Sequence, residues 1–572
     1  MGSCTLDFWA GSRGIATDAF SDSETAELGR VVTNSESNVY AWKIGDSLTP
    51  EQAGALLSRY SRTALTGRRL YLKEFLPNKE RGREFFEAWL VDYGDDSIQE
   101  MAGGLPLSAE FISNVAAKDL EDSRIGSYIE KSTRYVFFDK KLSDGEYMFY
   151  RDKDVLGSRF GDRYMGLMRS LFSSYVSFMG AMQDYVSESN PFESQRFRIG
   201  DKTTTPSELR ESDHEKYGIT EDELKSAYSN ATKANALDFM RDYLPMSTLT
   251  HVGLSMNARS YENAILKLQA SPLKECNWIG DRMHTQLMSL APSLVKRIKD
   301  RHGEEQRAFL SERFIAASNA VRSVISADEP LPNPTAVTLH DYTGIGSASP
   351  DTAAELSVVS AVIYRFSEGL SLSQARSLAE SLPAEKRKEV LQTYIGKRIS
   401  RRNKPGRAFE NVDYTFDFFG RIGIYRDLQR HRIGTQERQV FTTRLGYNMR
   451  DEFDRIGIAD DYKSKMREVE ELYRDMCVTM PYQAQYVVTF GYNVRWYYKL
   501  NARQFFHFSE LRTTSNGHPD YRKLVQSAFD SIRSVHPSIA RFMGFINLED
   551  KKIGRLDSEI RLVQKKKALG KA

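Results

Sequence analysis

The chain repeats itself, and that repetition constrains its fold more than any other feature. Arg124-Ile125-Gly126-Ser127 has an echo in Arg432-Ile433-Gly434-Thr435, and Met256-Asn257-Ala258-Arg259 has one in Leu500-Asn501-Ala502-Arg503. The two motifs occur in the same order in both halves, which marks an internal duplication. The later half also carries Arg430-His431-Arg432, where the apolar stretch Phe416 to Leu428 gives way to polar residues. An arbitrary Arg-His-Arg is a solvated basic turn. The duplication singles this one out, and each of its guanidiniums can grip phosphate through two parallel hydrogen bonds.

Composition excludes several classes. With 572 residues, 40% hydrophobic and 27% charged, the chain reads as a globular protein of two to four domains. Its 80 basic and 77 acidic residues leave a net charge of +3, so no specific nucleic-acid partner is expected. The cysteines Cys4, Cys276 and Cys477 are far apart and odd in number, so neither a disulfide framework nor a zinc site follows. A reducing, cytoplasmic setting is expected. No apolar run reaches the roughly 20 residues a membrane helix needs.

The chain divides by pattern. Residues 1–35 are polar and read as a loose arm. Thr49-Pro50-Glu51-Gln52 is an N-cap with a first-turn proline, opening a helix expected over Glu51 to Thr66. Arg83 to Tyr93 also has helical spacing. Partial alternation predicts strands over Leu105 to Val115 and Tyr414 to Ile424. Residues 151–228 have no counterpart in the later half and read as a helical insertion. It has an amphipathic helix over Tyr164 to Tyr185 and a polar loop over Gly200 to Thr220. Pro330, Pro332 and Pro334 mark a linker. Helices are expected at Ser357 to Glu368 and Leu372 to Ser381. The halves are thus 36–325 and 335–550, followed by a basic tail over 551–572 that reads as a solvated helix end.

These residues resemble the flavin-dependent thymidylate synthases, whose signature is Arg-His-Arg followed at fixed spacing by Ser, with a later Asn-x-Arg. The resemblance runs from about Tyr93 to Leu268 and again from about Glu410 to Arg512. It implies an α+β fold of two similar halves, each a small antiparallel sheet flanked by helices. It also implies methylation of dUMP to dTMP, with methylene tetrahydrofolate giving the carbon, FAD carrying the hydride and NADPH reducing the flavin.

Neither copy of the signature is complete. The first half keeps Glu130, Ser132 and Arg134 at the family's Glu, Ser and Arg positions, and Arg241 at its phosphate-binding arginine. It has Asp122 and Ser123 in place of Arg-His, and Leu268 at the late arginine. The second half keeps Arg430, His431, Arg432, Asn501, Arg503, His507 and Arg512. It has Arg438, Val440 and Thr442 in place of Glu, Ser and Arg, and Cys477 or Gln485 at the phosphate arginine. The family's Glu-His pair reads Glu100-Met101 in one half and Glu410-Asn411 in the other, so neither keeps the imidazole.

The losses are complementary. The family forms tetramers with shared active sites, so the resemblance implies a homodimer of tandem chains imitating that tetramer. Its active site would join the second half's flavin face to the first half's nucleotide loop. In it, Arg512 and Ser132 are the expected catalytic residues, with Arg512 stabilising the ionised uracil ring. Arg430, His431, Arg432, Asn501, Arg503, His507 and Glu130 are expected to hold the cofactor. Glu130, Ser132, Arg134, Arg241, Arg430 and Arg512 are expected to hold the nucleotide. Two rivals stand beside this reading: a non-catalytic flavin- or nucleotide-binding descendant, and a flavoenzyme acting on another pyrimidine nucleotide. His507 has a rival of its own as a core histidine.

Overall fold

A computed structural model describes residues 19–78, 101, 104–200, 202–325, 335–550 and 553–568. The expected helix at Arg83 to Tyr93, the loop before Met101, the prolines of the linker, Cys4 and the first 18 residues lie outside these. Two four-stranded antiparallel sheets carry the duplication. The first contains β1 (Val39–Ala41), β2 (Leu105–Ser113), β3 (Ser127–Glu130) and β4 (Leu249–Met256), in the order β1-β2-β4-β3. The second contains β5 (Val337–Tyr342), β6 (Asp413–Arg421), β7 (Thr435–Arg438) and β8 (Asn493–Asn501), in the equivalent order β5-β6-β8-β7. The expected α+β architecture of two similar halves is present.

The registers agree as well. Leu105 faces Met256 as Tyr414 faces Leu500, and Ser127 faces Ser255 as Thr435 faces Lys499. The sheets differ in where they bulge: in the second, β5 fits an extra residue between Leu339 and Asp341 against β6. β2 fits an extra residue between Ala109 and Ile112, where its pairing with β4 shifts. Phe111 sits in that bulge at φ 54, the one non-glycine residue with positive φ among the described residues. A β-bulge accommodates such an insertion by leaving a residue unpaired and bending the strand.

The two compact units of the chain do not follow the sequence halves. One contains residues 1–185, 234–331 and 442–491, and the other 186–233, 332–441 and 492–572. In the first unit, segments of both repeats meet. Met246 N–H donates to Val488 O at 2.7 Å and Phe490 N–H to Leu244 O at 2.9 Å; Ser247 N–H donates to Tyr486 O at 3.0 Å and Gly491 N–H to Asp242 O at 3.2 Å. Aligning Asn257 with Asn501 turns each bond of a pair into the other, and Pro245 lies opposite its own equivalent, Thr489. Within the first unit these two segments therefore pair as equivalent segments do across a local two-fold axis. The same alignment makes Gln485, not Cys477, the counterpart of Arg241. Buried polar groups reinforce the seam. Arg450 Nε meets Asp242 Oδ2 at 2.5 Å with both side chains almost wholly buried. The Glu275 carboxylate, also buried, accepts from Ser113 N–H, Ser113 Oγ and Tyr486 Oη.

Several sequence expectations need correction. Residues 22–31 of the expected arm form a helix, because Ser21 and Glu24 make a capping box and Leu28 and Val31 fall on one buried face. The helix from Pro50 stops at Ser58 and continues as a 3₁₀ turn to Arg62. Tyr164 to Tyr185 is two helices, Gly161–Ser177 and Met179–Glu188, and not one. The expected loop over Gly200 to Thr220 holds the second strand of a hairpin (Phe197–Ile199 and Lys202–Thr204) and a helix, Glu211–Tyr217. The 551–572 segment contains helix Leu556–Ala568, whose Leu556 and Ile560 are buried in a cluster with Phe197, Ile199 and Leu224 of the insertion, while the side chains of Lys565 to Lys567 lie outside the described residues. Its apolar residues were too few to stand out beside the lysines. The helices Pro350–Phe366 and Leu372–Ser381 match expectation, the first starting earlier.

Two outcomes follow. Arg450→Ala removes an ion-pair partner of the buried Asp242 and lowers stability by about 3 kcal/mol in chemical denaturation. Burial raises the Glu275 carboxyl from about 4.5 to about 7. The folded state then holds this proton more tightly than the unfolded chain, so the group's contribution is full at low pH and declines as pH rises through that window. Denaturation at several pH values should show this decline in the parent protein and its absence in Glu275→Gln.

Candidate active site

In the second unit, helix Ile422–Leu428 ends, the chain turns at Gln429 and Arg430, and it reaches β7 through His431, Arg432 and a bend at Ile433 and Gly434. Gly434 permits this path, since a Cβ there would lie 2.2 Å from the Tyr498 ring and 2.6 Å from Lys499 O. Gln436 Nε2 donates to His431 O at 2.6 Å and ties the turn to the strand. The other side is helix Ala502–Arg512, which brings His507, Phe508 and Arg512 toward the turn. The His431 ring lies edge-on to Phe508 at 4.9 Å and 5.7 Å from the His507 ring.

Arg512 Nε–H donates to His431 Nε2 at 2.7 Å. That nitrogen is therefore unprotonated, and the imidazole is neutral with its proton on Nδ1. Electrostatics agree: burial, then Arg512, His507, Arg432 and Arg430, hold its pKa well below the ordinary histidine value. Burial also lowers the Arg512 pKa, against the opposing influence of Tyr521 and Asp427. Arginine stays charged under these conditions. Arg512 thus touches one neutral ring, and Arg432 and Arg430 lie near enough to act on it, which makes the surroundings cationic.

Two expected cofactor residues have local partners. Asn501 is the N-cap of its helix, its side chain accepting from Gln504 N–H. Arg503 donates to Pro405 O and pairs with Glu410 at 3.0 Å. His507 is exposed, which removes its reading as a core histidine.

In the first unit, Glu130 ends β3 and is buried against Lys118, 2.9 Å away. Ser132 Oγ accepts from Arg134 N–H at 3.2 Å and shapes the loop. Arg134 makes a bidentate pair with Asp238, at 2.7 and 2.9 Å. Arg241 follows Asp238 by one turn and is buried. Sequence reasoning missed Asp238 and Lys118, although the one-turn spacing of Asp238 from Arg241 was a usable signal. Met101, at the position of the family's imidazole, is buried among Leu56, Tyr60 and Ile129. Asn411 spends its amide on Ala408 O. Neither can replace the ring as a proton carrier.

Two sheets of one topology, one beside a cationic turn and the other beside a polar loop at the same strand end, define a duplicated α+β protein. Residues 48–293 and 345–538 match the family model described as thymidylate synthase complementing protein. The chain belongs to that family and carries its unit twice. A UPF0159 protein of Chlamydia pneumoniae is 33% identical over 554 residues, covering 93% of this chain and 96% of its own. A UPF0159 protein of Thermoplasma acidophilum is 30% identical over 521 residues, covering 89% and 98%. A solved UMP/dUMP methylase from Streptomyces cacaoi, bound with 5-Br dUMP, matches at 17% identity over 37% of this chain and 94% of its own, with a TM-score of 0.28. No helix among the described residues is long and apolar enough to cross a membrane.

The Arg512 contact makes a prediction. In Arg512→Ala the His431 ring loses both its hydrogen-bond donor and a neighbouring positive charge. Its pKa should rise toward the ordinary value, as read by NMR titration of the imidazole resonances.

Proposed function

We propose that the protein is a flavin-dependent methyltransferase of the thymidylate synthase type. It converts dUMP to dTMP with methylene tetrahydrofolate and NADPH, and catalysis needs the groups kept by both repeats. The observation that carries this is the Arg512 hydrogen bond to a neutral His431 that also feels the charges of Arg432 and Arg430. Its counterpart is the Glu130, Ser132, Arg134 and Arg241 set kept only in the first repeat. The donor chemistry fits the proposed cofactor, an anionic dinucleotide. Reduced flavin, when bound, supplies the hydride that completes the methyl group.

The chain's residues do the rest. Arg430 and Arg432 neutralise phosphate charge. Arg512, held in place through His431, stabilises negative charge on the pyrimidine as C5 gives up its proton for the methylene carbon. Ser132 and Arg241 fix the nucleotide, and the Asp238 pair holds Arg134 in one orientation. His431 contributes as a neutral hydrogen-bond acceptor, not as a cation. In this reading two tandem chains imitate the family tetramer, in the cytoplasm.

The assay is tritium release from 5-labelled dUMP by protein reconstituted with FAD. Release should require both NADPH and methylene tetrahydrofolate. Arg512→Ala and Ser132→Ala should each reduce it by about 100-fold or more. Protein that binds dUMP and FAD yet releases no tritium is a binding relative. Protein that cannot be loaded with FAD refutes the flavin reading.

A further inference from the structure

Residues 397–407, Lys397-Arg398-Ile399-Ser400-Arg401-Arg402-Asn403-Lys404-Pro405-Gly406-Arg407, carry six cations and no anion, in a chain whose net charge is +3. A block of like charges ordinarily repels itself into disorder. This one is tied down within the second unit. The Arg398 guanidinium makes a bidentate pair with Glu510, at 2.8 and 2.6 Å, with both side chains buried. It also lies 5.1 Å from the centroids of the Phe506 and Phe545 rings. Its Nε–H donates to Asn403 O at 2.6 Å. Asn403 Oδ1 accepts from Ile399 N–H and Ser400 N–H, each at 3.0 Å. Arg503 Nε–H donates to Pro405 O at 2.8 Å and fastens the other end.

Glu510 pairs with Arg398, and Glu410 is shared by Arg407 and Arg503. Lys397, Arg402 and Lys404 are exposed. Holding cations together at fixed positions costs free energy through their repulsion, and a bound anion relieves it. The loop also connects to the cationic turn. Arg503, which fastens it, precedes His507 by one helical turn, about 6 Å along the axis. The His507 ring lies 5.7 Å from the His431 ring. A ligand seated at His431 and extended along this helix face reaches the loop with its far end. The loop holds no aromatic residue on which a nucleic-acid base could stack. Spaced point charges without aromatic rings suit a row of carboxylates.

We infer that this loop binds an extended polycarboxylate, the γ-linked glutamate tail of the folate co-substrate. This rests on the proposed reaction above and adds the form of folate that the protein prefers. Each further glutamate brings one carboxylate to the exposed cations, and several weak pairs together give the preference. Because these cations face solvent, the preference should shrink as salt rises.

The test uses the full chain, with tetrahydrofolate in its monoglutamate and pentaglutamate forms as probes in calorimetry. The parent should bind the pentaglutamate about 10-fold more tightly, the sum of several exposed ion pairs, and less so at high salt. The triple substitution Lys397→Gln, Arg402→Gln and Lys404→Gln should bind both forms equally, at the parent's affinity for the monoglutamate. Lys397→Arg combined with Lys404→Arg should keep the preference. Equal affinities in the parent overturn the inference, as does a preference that survives the triple substitution. So does a triple variant that loses affinity for NADPH and keeps its folate preference, which assigns the loop to the phosphates of the dinucleotide. A loop-dependent preference without tritium release leaves the loop's role standing and removes the catalytic proposal. Tritium release with no preference does the reverse.

Discussion

Four main-chain hydrogen bonds about Pro245 and Thr489 join a segment of each repeat within the first unit, and they come in two symmetric pairs. Backbone groups at such a seam must find partners when water leaves, and a duplicated segment offers its own copy as the best-matched one. Side chains then make the seam specific. Asp242 and its counterpart Tyr486 both serve it, but in different ways: Asp242 binds Arg450, while Tyr486 donates to Glu275. Symmetry therefore survives in the backbone and has been lost in the side chains. A buried pair such as Arg450–Asp242 adds little over an apolar pair, yet it is intolerant of losing one member. It favours this partnering of repeats over others.

The same contrast governs the two strand ends. Both sheets place a polar turn before their last-ordered strand, β3 or β7, and a capped helix after the central strand, β4 or β8. Asn257 and Asn501 do the same capping work in both copies. What differs is charge. The second repeat collects arginines around a neutral imidazole. The first pairs its charges in the interior, Glu130 with Lys118 and Arg134 with Asp238. Desolvation explains why these arrangements persist in different places. Arginine keeps its proton when partly buried, so it can wait for an anion, whereas a buried lysine or histidine yields its charge. Lys131 of the first repeat shows the effect: burial lowers its pKa to about 8, against the opposing influence of Glu110.

Much of this could be read from the residues. Two motifs in repeated order gave the duplication, and alternation placed β2 and β6 close to their observed bounds. Thr49 was legible as a cap because capping is a local interaction among four residues. Other features escaped. Leu28 and Val31 gave too little periodicity to reveal a helix within the polar first segment. The strand at Lys202–Thr204 is too short and polar to show alternation, and it exists by pairing with Phe197–Ile199. Asp238 and Lys118 look like ordinary surface charges until their partners, far along the chain, are seen.

The amino-acid order alone determined the repeat, its helices and strands, and which copy retained which charged groups, because these depend on neighbours a few residues apart. It also determined the family, through motif spacing. Tertiary structure alone decided that residues 442–491 pack with the first repeat's sheet unit, and that Gln485 is the counterpart of Arg241. It alone decided that His431 is a neutral acceptor and that Asp242 meets Arg450 in the interior. Those outcomes turn on burial and on contacts between distant segments. A linear pattern does not contain them, because desolvation acts on a group according to what surrounds it in space.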